Sequence, residues 1–430
     1  MESSAASSKA IELEPVEDGV CSSIQRLLRS MGILGQVSHA RRSVAMLMGL
    51  MLASAAFLSC TPRSRPQGVT PSGGQPTTSS AQAKSSAEAL ALPSLSDKLG
   101  NAPALGVAVE PYLLEEQGPV VAKHFRRLVA ENSMKWGEVC RTKNGCDFKR
   151  ADAIADFART HGMKMTGHTF VWHQMYPAWL FRDGLGSASK EVLTERLREH
   201  ISQMVQRYAD VVDNWDVVNE AISDKPERMW RQKPEQSKWF EAFGGEGYVE
   251  VAFRLAAEAT SKFAPDTKLF YNDYSIENPE KRHKVIEMIR ELRKKGVRVD
   301  GVGIQGHVNL TWPAVAELAR AIDEFAAERL LVKVSELDVS VYPEDDLDRK
   351  AYQKELSYTQ ELEERLAQRY VEIFRVFRAK ASALHSVTLW GLSDDHTWLN
   401  GWPVSRRNYP LLIDRTHRPK LAMQRLLELQ

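Results

Sequence analysis

The chain has 430 residues, 43% hydrophobic and 26% charged, enough for one large domain and something smaller beside it. A formal net charge of +1 gives no support to a nucleic-acid or anionic-membrane partner. The four cysteines, Cys21, Cys60, Cys140 and Cys146, show no zinc-site spacing. The last two flank the turn-forming Asn144-Gly145 and read either as a small disulfide loop or as two separate thiols.

In chain order, the first feature is an address. Arg41-Arg42 precedes an apolar run from Val44 to Leu58 that ends Phe57-Leu-Ser-Cys60. A basic flank, a short apolar core and small residues before a boundary describe an export signal; the run is too short for a comfortable membrane-spanning helix. The ending resembles a bacterial lipoprotein cleavage box, although Leu58 stands where a small residue is usual. Lipidation at Cys60, plain secretion and an uncleaved anchor all stay open. Residues 1–60 are assigned to this extension and signal. Residues 61–94, rich in Ser, Thr, Pro and Gly, are read as a flexible tether. The folded domain is placed at 95–430.

Eight strand-like runs follow: Leu105–Val109, Arg127–Ala130, Met163–Thr169, Val211–Val218, Lys268–Tyr271, Val302–Gln305, Leu331–Leu337 and Ser386–Trp390. Between them lie helical stripes, among them Leu193, Leu197, Ile201, Met204 and Tyr208, and Leu362, Leu366, Tyr370, Ile373 and Phe377. Val315, Leu318, Ile322 and Phe325 form another, with Pro313 expected in its first turn. Eight repeats of strand and helix predict an α/β fold, a closed (β/α)8 TIM barrel. A doubly wound open sheet is the alternative, but no glycine-rich phosphate turn follows the first strand.

A barrel gathers its chemistry at the C-terminal ends of its strands. Polar residues cluster at seven of the eight predicted ends, the first being left out: Glu131, Asn132 and Lys135; His168, Trp172 and His173; Asn219 and Glu220; Asn272 to Tyr274; Gln305 and His307; Glu336 and Asp338; and Trp390. Asp216, in mid-strand, reads instead as a structural partner of a barrel neighbour. Glu220 and Glu336 each close a buried apolar strand, where a carboxylate is costly unless something pairs with it or uses it. Two such groups are what double-displacement hydrolysis of a glycosidic bond requires.

The motifs Ala130-Glu-Asn-Ser-Met-Lys-Trp136, Gly167-His-Thr-Phe-Val-Trp-His173, Trp215-Asp-Val-Val-Asn-Glu220, Tyr271-Asn-Asp-Tyr274, Gly303-Ile-Gln-Gly-His307, Ser335-Glu-Leu-Asp338 and Thr388-Leu-Trp-Gly391 carry a specific likeness. In that order they resemble the signatures of glycoside hydrolase family ten, the endo-β-1,4-xylanases, over about residues 95–430. The resemblance implies Glu220 as acid/base and Glu336 as nucleophile, with Asn219 bonding the sugar 2-hydroxyl. It implies that His307 orients Glu336 and is held by Asp338, and that Gln305 lies near the acid/base. Glu131, Asn132, Lys135 and His168 would line the non-reducing side, with Trp172, Trp390 and Trp398 as walls, and Tyr274 would face the leaving side.

In retaining enzymes the two carboxyls lie roughly 5–5.5 Å apart, so one holds its proton to higher pH. Glu220 is expected to be that one, and Glu336 the ionised one. The substrate is then xylan, with no metal and no cofactor implied, no nucleic-acid partner, a membrane contact only through an N-terminal lipid, and a monomer expected. A β-1,4-glucanase on the same barrel and a glycan-binding protein without turnover are the alternatives; retention of both glutamates argues against the second. Residues 223–247 and 397–407 depart most from the family pattern, which puts chain-length and side-group preference in question.

Overall fold

A computed structural model describes residues 86–100, 103–232, 237–343 and 355–429. The signal segment, Cys60 and the start of the tether lie outside the described residues. Eight strands form the barrel: β1 (Ala104–Val109), β2 (Arg127–Ala130), β3 (Lys164–Trp172), β4 (Val212–Asn219), β5 (Lys268–Asp273), β6 (Gly301–Ile304), β7 (Leu331–Ser340) and β8 (Leu384–Leu389). Their side chains are almost continuously buried, as expected of parallel strands covered on both faces.

Each strand is followed by a helix: α1 (Pro111–His124), α2 (Lys149–Thr160), α3 (Lys190–Arg207), α4 (Gly247–Phe263), α5 (Pro279–Lys294), α6 (Val315–Ala327), α7 (Gln360–Ala379) and α8 (Leu421–Leu427). All barrel pairings are parallel, and the sheet closes on itself. Gly106 of β1 pairs with Arg127 on one side and Thr388 on the other. Val334 of β7 pairs with Ile304 and Val387.

The helices form for reasons visible in their sequences. Ser189 caps α3 by accepting from Val192 N, and its stripe of Leu193, Leu197, Ile201 and Met204 is fully buried. Asn278 caps α5, with Pro279 in the first turn. Pro313 differs from expectation: α6 begins at Val315, and Pro313 lies outside it with its carbonyl taken by Arg369 Nη2 at 2.5 Å.

Two strands run further than their apolar stretches. β3 continues to Trp172, and β7 to Ser340 because a short strand, His307–Asn309, pairs with Asp338–Ser340 above the barrel rim. That pairing satisfies the backbone of polar residues that would otherwise end the strand. Within the stretch read as tether, residues 86–91 are helical and Ala89 is fully buried, as is Leu95 just after it. His124 Nε2 lies 2.9 Å from Ala89 O, and His124 Nδ1 accepts from Leu95 N at 3.2 Å. The few apolar residues there find the barrel surface to bury against. Cys140 and Cys146 are joined in a disulfide, the first of the two readings of that pair. No helix among the described residues is long and apolar enough to cross a membrane.

Candidate active site

The centre of the site is a chain of three amides between two carboxylates. β4 ends at Asn219, and Glu220 follows with φ +59°, held there because its N donates to Asn272 O at 2.9 Å and its O accepts from Arg231 Nε at 2.9 Å. A left-handed backbone at a non-glycine residue costs energy and persists where its surroundings fix it. The side chain is fixed as well. Glu220 Oε1 accepts from Gln305 Nε2 at 3.0 Å and Asn219 Nδ2 at 3.1 Å, and Oε2 accepts from Trp172 Nε1 at 2.9 Å. His173 Nδ1 lies 3.7 Å from Oε2, but burial lowers that imidazole to a pKa of about 4, so at neutral pH it carries no charge.

Glu336, on β7, faces the same space. Asn272 Nδ2 donates to Glu336 Oε1 at 2.7 Å and also to Asn219 Oδ1 at 2.9 Å, so one amide spans from the second carboxylate to the neighbour of the first. His307 Nε2 lies 3.2 Å from Glu336 Oε2, and His307 Nδ1 3.0 Å from Asp338 Oδ2, which also accepts from Trp398 Nε1 at 2.8 Å. Burial opposes charge on His307, yet Asp338, reinforced by Glu336, lifts its pKa to about 10. The ring is therefore an imidazolium at neutral pH, donating from both nitrogens. Burial alone would raise the Glu336 carboxyl. The His307 hydrogen bond, with the fields of His168, His307 and Lys135, outweighs that and holds it below the ordinary glutamate value.

The remaining predicted residues fall around this pair. Lys135 Nζ donates to Asn132 Oδ1 at 3.0 Å and sits 4.7 Å above the Trp172 ring and 5.9 Å from that of Trp390. Glu131 stands beside it; burial, against the pull of Lys135, brings its carboxyl to about 7. His168 Nδ1 lies 3.0 Å from Asp216 Oδ2, and Lys333 Nζ is 2.7 Å from Asp216 Oδ1, so Asp216 is the internal partner expected of it. Trp390 packs edge-on to His168 and to His307. Tyr274 lies further out, where its hydroxyl meets Arg231 Nη2 at 2.7 Å and the Asp224 carboxylate. Lys281 Nζ sits 3.6 Å from the Tyr274 ring centroid. Tyr274, Asp224 and Lys281 border a cavity of about 360 Å³ that also reaches Ser223, Asn278 and Trp312.

Residues 94–429 match the model of glycosyl hydrolase family 10. The chain belongs to that family. Endo-1,4-beta-xylanase B of Paenibacillus barcinonensis is 39% identical over 338 residues, which is 78% of this chain and 98% of that relative. A crystal structure of an endo-1,4-beta-xylanase from Caldicellulosiruptor owensensis superimposes with a TM-score of 0.71 at 39% identity, over 78% of this chain and 99% of that one. A mutant protein solved in complex with xylotriose gives a TM-score of 0.71 at 40% identity, over 78% and 99%.

Three features of this family 10 hydrolase escaped the reading of its sequence. Asn272 is placed by the sequence at a strand end but given no role, yet it bridges β4 to β7. Its Oδ1 accepts from Ser335 Oγ at 2.6 Å, and a Cβ on Gly303 would overlap that oxygen, so the glycine keeps the amide in place. Trp172 and Trp398 were read as walls; both also spend their indole N–H on a carboxylate of the site.

The first strand end contributes as well, contrary to expectation. Glu110, directly after β1 and 3% exposed, accepts from Asn132 N at 2.7 Å and Ser133 N at 3.2 Å, and pairs with Arg150 at 2.8 Å. It shapes the loop that carries Glu131 and Lys135. Glu110→Ala is expected to lower stability by about 2 kcal/mol, because one buried and one partly buried amide lose their acceptor. Chemical denaturation would measure it; an unchanged midpoint would mean that this loop is held by other contacts.

Proposed function

We propose that this family 10 hydrolase cleaves internal β-1,4-xylosidic bonds of xylan by double displacement, with Glu336 as nucleophile and Glu220 as acid/base. The observation that carries the reading is the shared amide chain Asn272–Asn219–Gln305 joining those two carboxylates. In the first step Glu336 attacks the anomeric carbon while Glu220 gives its proton to the departing oxygen. In the second, Glu220 takes a proton from water as water displaces Glu336. Asn219 has one Nδ2 proton committed to Glu220, which leaves the other for the sugar 2-hydroxyl. Asn132, Lys135, His168, Trp172 and Trp390 would bind sugars on the non-reducing side, with Trp398 beside His307, and Tyr274 would border the leaving side.

Release of reducing ends from xylan, set beside carboxymethyl-cellulose, tests the substrate. Preference for xylan supports the reading; equal or better cleavage of the cellulose derivative favours a β-1,4-glucanase, and turnover of neither sinks both. Trp172→Phe keeps an aromatic wall but deletes the donor to Glu220. It is expected to lower kcat on the order of tenfold with little change in KM, the worth of one hydrogen bond to the carboxylate that forms as Glu220 gives up its proton. A change confined to KM would make Trp172 a sugar wall alone.

The enzyme is further proposed to act outside the cytoplasm, as a monomer, either freely secreted or held by a lipid on Cys60. Fractionation of cells expressing the wild type and Cys60→Ser would separate the two, since only a lipid anchor leaves the membrane fraction on that change.

A further inference from the structure

At the seam where β8 meets β1, three segments bring metal-ligating side chains together. Glu116 comes from α1, His396 from the loop after β8, and His417 from the turn before α8. One ligand atom from each of the three lies within 4.8 Å of the others, with His396 Nε2 3.9 Å from Glu116 Oε2. Asp395 Oδ2 stands between the imidazoles, 3.1 Å from His396 Nε2 and 3.1 Å from His417 Nε2. The mechanism uses none of these residues.

Gln117 Nε2 lies 3.3 Å from His417 Nε2, the nitrogen that Asp395 Oδ2 also faces. Gln117, only 1% exposed, also has its Oε1 buried without a hydrogen-bond partner. A divalent cation among the four side chains would be met by the His417 lone pair and the Asp395 carboxylate together, while Gln117 Nε2 keeps its 3.2 Å contact to Ser393 Oγ. Two carboxylates balance a 2+ charge. Two imidazole nitrogens with two carboxylates is a donor set of the zinc class, since calcium and magnesium take oxygen almost throughout.

We propose that Glu116, Asp395, His396 and His417 form a zinc-class cation site that clamps the loop after β8 to α1. The metal takes no part in the reaction; it fixes a loop at the seam of the barrel.

Chelator-treated full-length protein, titrated calorimetrically with Zn2+, is expected to bind one equivalent. At about a hundredfold excess over Kd, Tm is expected to rise by a few degrees. Co2+ in the same site should give the visible absorption of a tetrahedral centre. Glu116→Gln, at an exposed position, and His396→Gln, at a partly exposed one, should fold and lose the stoichiometric binding, the Tm rise and the cobalt band, with xylan turnover at moderate temperature unchanged. Absence of binding by the wild type overturns the proposal. So does binding that survives in both variants, because the metal then sits on other groups.

Discussion

Glu336→Ala is expected to lose xylan hydrolysis by at least about 10⁴-fold while the protein stays folded, since removing a nucleophile abolishes the covalent step outright. Azide added to that variant can enter the space left by the carboxylate and attack the anomeric carbon from the same face. With an activated aryl xylobioside the product is the α-glycosyl azide, formed with inversion. Glu220→Ala should behave differently. It retains Glu336, so an aryl substrate whose leaving group needs no proton still forms the glycosyl-enzyme. Without a base to activate water the intermediate accumulates, giving a burst of phenol and then a slow steady state, whereas xylan, with its poor leaving group, is cleaved about 10²–10⁴-fold more slowly. Azide then captures the intermediate as the β-product. If the two variants gave azides of the opposite configurations, the roles would be exchanged; full xylan hydrolysis by either variant would remove both glutamates from the mechanism.

The architecture was legible because apolar runs and helical stripes alternate without interruption, and all eight predicted strands lie in the barrel. The carboxylates stand out for a physical reason: Glu220 directly follows, and Glu336 lies within, a strand that is almost wholly buried. Long-range hydrogen bonding left no such mark. Asn272 looks like any amide at a strand end until Asn219, Ser335 and Glu336 arrive from β4 and β7. Glu110 precedes a proline that opens a helix, and nothing local tells that its oxygens serve amides on the next strand's loop. Aromatic rings suggest sugar stacking, which conceals that Trp172 and Trp398 act as donors too. The helix at residues 86–91 is hidden by composition, because one small apolar residue such as Ala89 announces no core of its own and buries against one made elsewhere.

The second large effect should come from His307→Gln, which keeps a polar side chain near Glu336 and removes the charge. With His307 present, Glu336 titrates below the ordinary glutamate range, and kcat/KM is lost only when pH falls through that lowered value. Without it, burial and the neighbouring Asp338 are no longer opposed at close range, so the acid limb of kcat/KM should move up by on the order of one pH unit. Stability follows the same pair with opposite signs. The His307 pKa rises from 6.5 in its ordinary state to about 10 in the fold, so its contribution is complete below 6.5 and fades as pH climbs toward 10. The contribution of Glu336, whose folded pKa is depressed from 4.5, is present above that value and lost as pH falls through the lower one. The margin in Tm of the wild type over His307→Gln should therefore be widest near pH 5–6 and close toward alkaline pH. A margin that stays constant between pH 6 and 10, or an acid limb that does not move, would show that His307 holds Glu336 by position and not by charge.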